Sequence, residues 1–326
     1  MAGRYPFSGI PSGWYVIAAS DDLRPGDVVG RRYFGRDLVL YRTASGRVAA
    51  ADATCPHMGA HLEGGSVSGE SLRCPFHGFE FDLDGACVRT PYGRGVPARA
   101  QLRTWRVVEQ NGLVLCWWDA NDKPPEWSVP VLDDEGWGSL GVHSYRIDSH
   151  PQETTENSID YGHFTSVHNF PNADMTRPVE TDGPHLQSGY AITATLGAFG
   201  LSRVRVRADF DVEVWGLGYS LVNLRVGAFG LRGRLFVLPV PIDEEHIELR
   251  LASRARHPIP GIGPLLRRVV HRQFRQEVEE DIPIWEKKTY LERPALAPGD
   301  GPVTEYRRWA RQFYPATGDR PAGTPD

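Results

Sequence analysis

Between Cys55 and His77 the chain states one arrangement twice: Cys55-Pro-His57, then sixteen residues, then Cys74-Pro-Phe-His77-Gly78. No other stretch constrains the fold as strongly. Two thiols and two imidazoles sit in loops punctuated by Pro56, Gly59, Gly64, Gly65, Pro75 and Gly78. Proline fixes φ and glycine admits positive φ, so such loops can turn backbone N–H groups toward sulfur. Zinc takes the same ligand types, but its loops usually pair them as C-x2-C with H-x3-5-H.

One cysteine and one histidine from each loop is instead the ligand set of a Rieske centre. There two thiolates hold one iron of a [2Fe–2S] cluster and two histidines hold the other. Cys55, His57, Cys74 and His77 are therefore the candidate cluster ligands. Cys87 and Cys116 lie in strand-like surroundings and read as buried small hydrophobes, not a disulfide.

The rest of the chain must be large enough to use such a centre. At 326 residues it exceeds one typical core and suggests two domains. With 40% hydrophobic and 24% charged residues it has the composition of an ordinary soluble protein. A net charge near −5 gives no footprint for nucleic acid or an anionic membrane. No apolar run reaches the ~18 residues of a membrane span, and Met1-Ala-Gly-Arg4-Tyr-Pro lacks a signal peptide's apolar core. The expected compartment is the cytoplasm.

Residues 1–120 read as an all-β module. Gly13–Ala19, Arg31–Phe34, Leu38–Tyr41, Val48–Ala51, Phe79–Asp82, Ala86–Arg89, Leu102–Val108 and Leu113–Trp117 are short strands. Asp84-Gly85 and Asn111-Gly112 are hairpin-turn signals. Lys123-Pro-Pro-Glu-Trp127 is the linker to a second domain, 121–326. That domain begins loop-rich to about His150, then turns helical over Glu153–His168. Long strands follow over 185–254, among them Tyr219–Val226, Leu231–Leu238 and His246–Ala252. In Arg203–Arg207 the alternation puts arginines on one face and valines on the other, most simply a solvated face and otherwise a docking patch for an electron donor. A helix over Pro264–Leu291 should kink at Pro283, a short one covers Val303–Tyr314, and a Pro/Gly-rich tail should fray. The fold class is α+β: an all-β domain, then an antiparallel sheet with helices.

Asn157, Asp160, His163 and His168 fall in the first helical stretch. On a helix Asp160 and His163 lie about 60° apart, on one face, but His163 and His168 lie about 140° apart. Both histidines can reach one metal only if the helix widens or ends between them. A 2-His-1-carboxylate site needs one more ligand. In the helix at 264–291, Phe274, Val278, Ile282 and Trp285 form the apolar stripe, and Asp281 falls about 20° from Phe274, on the buried side. Glu279 and Glu280 then point away, which predicts a near-neutral Glu280→Ala, and Glu277 sits at the stripe's edge. A carboxylate on an apolar face needs a partner: a metal, or an arginine such as Arg275. His143, His185 and His246 read as surface histidines.

Taken together these motifs resemble the oxygenase component of Rieske non-haem iron oxygenases over nearly the whole chain. Asp281-Ile-Pro-Ile-Trp285 through Pro294, Asp300-Gly-Pro302, Arg308-Trp309 and Pro239–His246 are similar to the 3-ketosteroid 9α-hydroxylase and cholesterol-desaturase-like group. The resemblance implies Cys55 and Cys74 on the inner iron and His57 and His77 on the outer one. It implies mononuclear Fe(II) on His163, His168 and Asp281, with Asp160 and Asn157 in the catalytic machinery. It further implies a helix-grip catalytic domain and a homotrimer in which Asp160 meets His77 of the neighbouring subunit. The chain is shorter than the steroid hydroxylases that carry these motifs, which leaves the shape of its substrate pocket open.

The resulting expectation is a terminal oxygenase that hydroxylates or desaturates an apolar, steroid-like or polycyclic substrate with O₂. A separate ferredoxin or NAD(P)H-dependent reductase must supply electrons, since no G-x-G-x-x-G strand–turn–helix unit and no second iron–sulfur cysteine set occurs. One alternative is a Rieske demethylase or amine oxygenase acting on a polar or aromatic substrate. Another is a non-enzymatic Rieske electron carrier, against which stand about 200 residues beyond the β module.

Overall fold

A computed structural model describes residues 4–7, 9–170, 173–196, 201–259 and 263–315. The chain divides into two compact units, one of residues 15–118 and one of residues 1–14 with 119–326.

The first unit consists of short antiparallel strands. They are β1 (Gly13–Ala19), β2 (Val28–Tyr33), β3 (Arg36–Arg42), β4 (Val48–Asp52), β5 (Ser66–Ser68), β6 (Ser71–Arg73), β7 (Glu80–Phe81), β8 (Cys87–Arg89), β9 (Thr104–Trp105), β10 (Val107–Gln110) and β11 (Leu113–Trp118). Three sheets result, ordered β1-β11-β10, β2-β3-β4-β9 and β5-β6-β7-β8. β1 and β11 are apolar along their whole length and every residue of both is buried. A strand covered on both faces has no need of alternation. Asn111-Gly112 turns with φ of 58° and 76°, the type I′ geometry that Asn-Gly favours. Phe34-Gly35 does the same at 56° and 71°. Phe34 is bulky for that region, and its ring is held by stacking on Trp118 at 4.9 Å and Trp105 at 5.7 Å. Cys87 and Cys116 are free and buried.

Ahead of β1, Phe7 and Ser12 pack within the second unit. Phe7 stacks on Tyr314 and lies against His150 and Tyr290, and the Ser12 amide donates to the Phe313 carbonyl at 2.6 Å.

In the second unit β12 (Gly141–Ile147) and β13 (Ala173–Asp182) join β14 (His185–Leu196), β15 (Leu201–Trp215), β16 (Tyr219–Val226), β17 (Leu231–Pro241) and β18 (Ile247–Arg256). All pair antiparallel in one seven-stranded sheet, ordered β12-β18-β17-β16-β15-β14-β13. The loop-rich reading before His150 missed β12, and β13 was not anticipated. In β15 Val206, Val212 and Val214 are buried while Arg205 and Arg207 are exposed, as period-two alternation requires. The side chains of Arg203 and Val204 lie outside the described residues, as does the C-terminal tail.

The short helices α1 (Pro151–Glu156) and α2 (His163–Ser166) precede that sheet, and α3 (Gly263–Trp285) and α4 (Val303–Ala310) follow it. α3 lays Val270, Phe274, Val278 and Trp285 on Ile147, Leu235, Leu249 and Leu251. Each such side chain stabilises by about 1.5–3 kcal/mol when fully buried, so this seam fixes the helix's rotation. α3 runs through Pro283 to Trp285, and just beyond it the Glu286 amide still donates to the Ile282 carbonyl at 3.0 Å. The single helix expected over 153–168 is in fact two, with non-helical residues 157–162 between them. Gly301 lies under that break. A Cβ on Gly301, which has φ of +82°, would come within 2.3 Å of the Ile159 carbonyl oxygen. Only glycine admits both that φ and that approach.

Candidate metal centres

The two cysteine loops are near copies in backbone. The Gly59 amide donates to the Cys55 carbonyl at 2.9 Å, and the Gly78 amide to the Cys74 carbonyl at 3.1 Å. One residue on, the ring closes: Cys55 N–H to Ala60 O at 2.9 Å, and Cys74 N–H to Phe79 O at 2.8 Å. Both glycines take positive φ, 75° and 67°. The loops differ only in where the histidine falls between cysteine and glycine, which is the difference between C-x-H and C-x2-H.

These loops bury the thiols and leave the imidazoles half-exposed. Burial, against backbone N–H groups of His57 and Met58 and with Cys74 alongside, pushes the Cys55 thiol up to about 11. His57 stacks on Phe79 at 4.2 Å and meets His77 edge-on at 4.6 Å. Its Nδ1 is buried without a hydrogen-bond partner. Two adjacent buried thiols, amides aimed at sulfur and an orphaned imidazole nitrogen fit a metal cluster. They fit no ordinary core, where each buried polar atom has a partner. Met58 and Phe76 project from the loop tips, 67% and 63% exposed.

In the second unit His163, His168 and Asp281 converge: each offers a ligand atom, and all three atoms lie within 4.8 Å of one another. Asp281 is 6% exposed. Its Oδ1 lies 3.4 Å from His168 Nε2, and its Oδ2 accepts a hydrogen bond from Asn157 Nδ2 at 3.0 Å. Ligand atoms about 2.1 Å from a metal and at right angles to each other stand roughly 3 Å apart, so this spacing and donor set fit a divalent ion. α2 ends at Ser166, before His168, and that lets two histidines five apart face one point.

Asp160 stands off any helix, so the shared helix face expected for it and His163 does not exist. It meets the ring another way. Its Oδ2 lies 3.4 Å from His163 Nδ1, and its Oδ1 accepts from the Gly162 amide at 3.1 Å. Burial works to raise the Asp160 carboxyl, but these contacts more than offset it and hold the group below its usual value.

Glu280 does not point away. Its Oε2 lies 3.0 Å from His168 Nδ1. Two side chains about 100° apart round α3 thus reach opposite nitrogens of one ring. Burial lowers the His168 pKa, but hydrogen bonds to Asp281 and Glu280 outweigh it and raise the group to about 9. Arg275, the alternative partner for Asp281, pairs with Glu279 at 2.8 Å instead. Glu277, one turn before Asp281, has its carboxyl raised by burial. Sequence reasoning also missed a buried charge network that anchors α1. Lys288 Nζ reaches Glu153 at 2.9 Å and Glu156 at 3.0 Å, and Arg307 grips Glu156 at 2.6 and 3.0 Å. The acids at 153 and 156 and the bases at 288 and 307 carry no local signal that pairs them.

Comparison with known proteins settles the family. Residues 13–106 match the Rieske [2Fe-2S] domain, and residues 116–314 match the 3-ketosteroid 9alpha-hydroxylase C-terminal domain. The chain belongs to the Rieske oxygenases. Cholesterol 7-desaturase of Hemicentrotus pulcherrimus is 31% identical over 332 residues, spanning 93% of this chain and 70% of that protein. The oxygenase component of 3-ketosteroid-9-alpha-monooxygenase from Rhodococcus rhodochrous is 28% identical, spanning 93% and 80%. Among solved structures, dicamba monooxygenase bound to dicamba superposes with a TM-score of 0.76 at 25% identity, covering 92% of this oxygenase and 96% of that chain. The N-terminal part of the oxygenase is thus a Rieske [2Fe–2S] domain, and its C-terminal part a sheet-rich catalytic domain.

Proposed function

We propose that this oxygenase holds Fe(II) on His163, His168 and Asp281 and uses O₂ to hydroxylate or desaturate an apolar, steroid-like substrate. The observation that carries the reading is the convergence of those three ligand atoms, with Asn157 on the far oxygen of Asp281. Iron in a 2-His-1-carboxylate site keeps open positions for O₂ activation. The chain's own residues do the rest. Asn157 fixes which oxygen of Asp281 faces inward, and Asp160 orients the His163 ring. Substrate held over the site decides which C–H bond reacts. Cys55, His57, Cys74 and His77 bind the [2Fe–2S] cluster, and a separate ferredoxin or NAD(P)H-dependent reductase charges it. The subunits form a cytoplasmic homotrimer in which Asp160 meets His77 of the partner subunit. No described helix is long and apolar enough to cross a membrane.

The steroid-like substrate rests on the relatives' names, cholesterol 7-desaturase and 3-ketosteroid-9-alpha-monooxygenase. A second reading, a polar or aromatic substrate, has its own support. Dicamba monooxygenase bound to dicamba is matched over 96% of its length. Mass spectrometry of products after turnover with a generic ferredoxin and reductase decides between them. The steroid reading expects tight coupling of O₂ uptake to an oxidised or desaturated sterol. Tight coupling to a small aromatic acid with none to sterols would overturn it.

A further inference from the structure

α3 offers two consecutive carboxylates to one imidazole. Asp281 stands at Nε2 of His168, 3.4 Å away, and Glu280 at Nδ1, 3.0 Å away. The ring between them is 4% exposed, whereas the Glu280 side chain is 52% exposed. The carboxylate therefore comes in from solvent and makes its contact on a desolvated edge. His163 Nδ1 also faces a carboxylate, Asp160 at 3.4 Å, but without a hydrogen bond. Each histidine thus has a carboxylate behind it, one from the turn before α2 and one from the helix that also carries Asp281.

A histidine that binds a metal through Nε2 must carry its remaining proton on Nδ1, and a carboxylate there fixes both the tautomer and the ring plane. Charge-assisted hydrogen bonds of this kind also make the ligating nitrogen more basic. Taken with the iron site proposed above, on which this rests, the geometry points to Glu280 as a positioning residue. It holds His168 as the Nδ1–H tautomer, ring edge toward the metal, and so sets how tightly Fe(II) is kept. Rotation of α3 about its axis would misplace Asp281 and Glu280 together, so the Phe274–Val278–Trp285 seam serves both.

The test is Fe(II) affinity at neutral pH, measured by chelator competition on protein whose Rieske cluster is intact. Glu280→Ala should weaken Fe(II) binding by about 10–100-fold, the usual cost of losing such an outer partner. Glu280→Gln, which keeps an acceptor without charge, should fall between Ala and wild type. Glu286→Ala, an equal loss of charge at an exposed position beyond α3, should bind as wild type does. Thermal unfolding of the metal-free proteins separates positioning from scaffolding: Glu280→Ala should match wild type there while differing in affinity. Unchanged or tighter Fe(II) binding in Glu280→Ala overturns the inference, as does a lower metal-free melting temperature that accounts for the whole loss. Asp281→Ala distinguishes the two levels. If it loses iron and Glu280→Ala does not, only the role of Glu280 fails. If it keeps iron, the iron site fails and the role of Glu280 with it.

Discussion

The two candidate ligand sets of this oxygenase differ in how much of the molecule is needed to assemble them. The cluster loops close on their own backbone, each through an amide-to-carbonyl bond back to its own cysteine, within one short stretch of chain. The second set depends on partners far away in sequence: Asn157 on Asp281 across 124 positions, and Glu280 on His168 across 112. Its histidines need the break at 157–162, the break needs Gly301 beneath it, and Asp281 needs the packed seam of α3. A set made locally tolerates change elsewhere in the chain. A set made from afar should register changes in parts that touch no ligand.

The largest effect should come from the local set. Cys74→Ser should reduce acid-labile sulfide from about two per chain to almost none and abolish turnover, because a serine hydroxyl does not replace a thiolate in holding iron–sulfur iron. Sulfide retained at the wild-type level would break the comparison at its first term.

Asp160→Asn comes next. It should keep the Rieske cluster but, with Fe(II) supplied in excess, slow reoxidation of the reduced cluster by about 10–100-fold when substrate and O₂ are added, since His163 loses the carboxylate at its Nδ1. Single-turnover absorbance of the cluster follows this directly. Reoxidation and product formation at wild-type rates would remove Asp160 from the path.

Gly301→Ala sharpens the contrast, because residue 301 touches neither ligand set. Positive φ alone costs an alanine about 1–3 kcal/mol, and its Cβ meets the Ile159 carbonyl as well. The denaturant midpoint should drop and mononuclear iron occupancy with it, while the Rieske spectrum stays. Loss of cluster and iron in parallel would show that the two sets are not independent.

The smallest effect is a proton count. His168 is raised to about 9 in the metal-free protein, so at neutral pH it is protonated and must release that proton to bind a metal. Calorimetry in buffers of different ionisation enthalpy should find about one proton released by this ring per Fe(II), diminishing as pH rises through 9. The same raised pKa stabilises the metal-free fold fully below the ordinary histidine value near 6.5, and that contribution is lost as pH climbs through about 9. No proton release at neutral pH would contradict the contacts to Asp281 and Glu280.

How much of this was legible in the sequence follows the same division. That Cys55, His57, Cys74 and His77 come together was legible because spacing within two loops carries the information. Hairpins at Asn111-Gly112 and the alternation of β15 were legible for the same reason: turn chemistry and period-two patterning are local. The burial of Asp281 among its acidic neighbours was legible because helix phase is also local. The Glu280 contact was not legible, since it depends on His168, 112 residues away, and the angular argument alone turned Glu280 outward. The single helix over 153–168 was misjudged because nothing within it shows that Gly301 will come up against Ile159 and Asp160. The Glu153–Lys288–Glu156–Arg307 network is beyond any local pattern, being four charges from three separate segments.

The central claim is that one chain carries two independent iron sites, one local and one assembled from afar. Iron and acid-labile sulfide counted together in wild type and in Asp281→Ala test it most directly. The account predicts about three irons and two sulfides per chain in wild type, and about two irons and two sulfides in Asp281→Ala with an unchanged Rieske spectrum. Equal iron in the two proteins, or zinc in place of iron at either site, would contradict it.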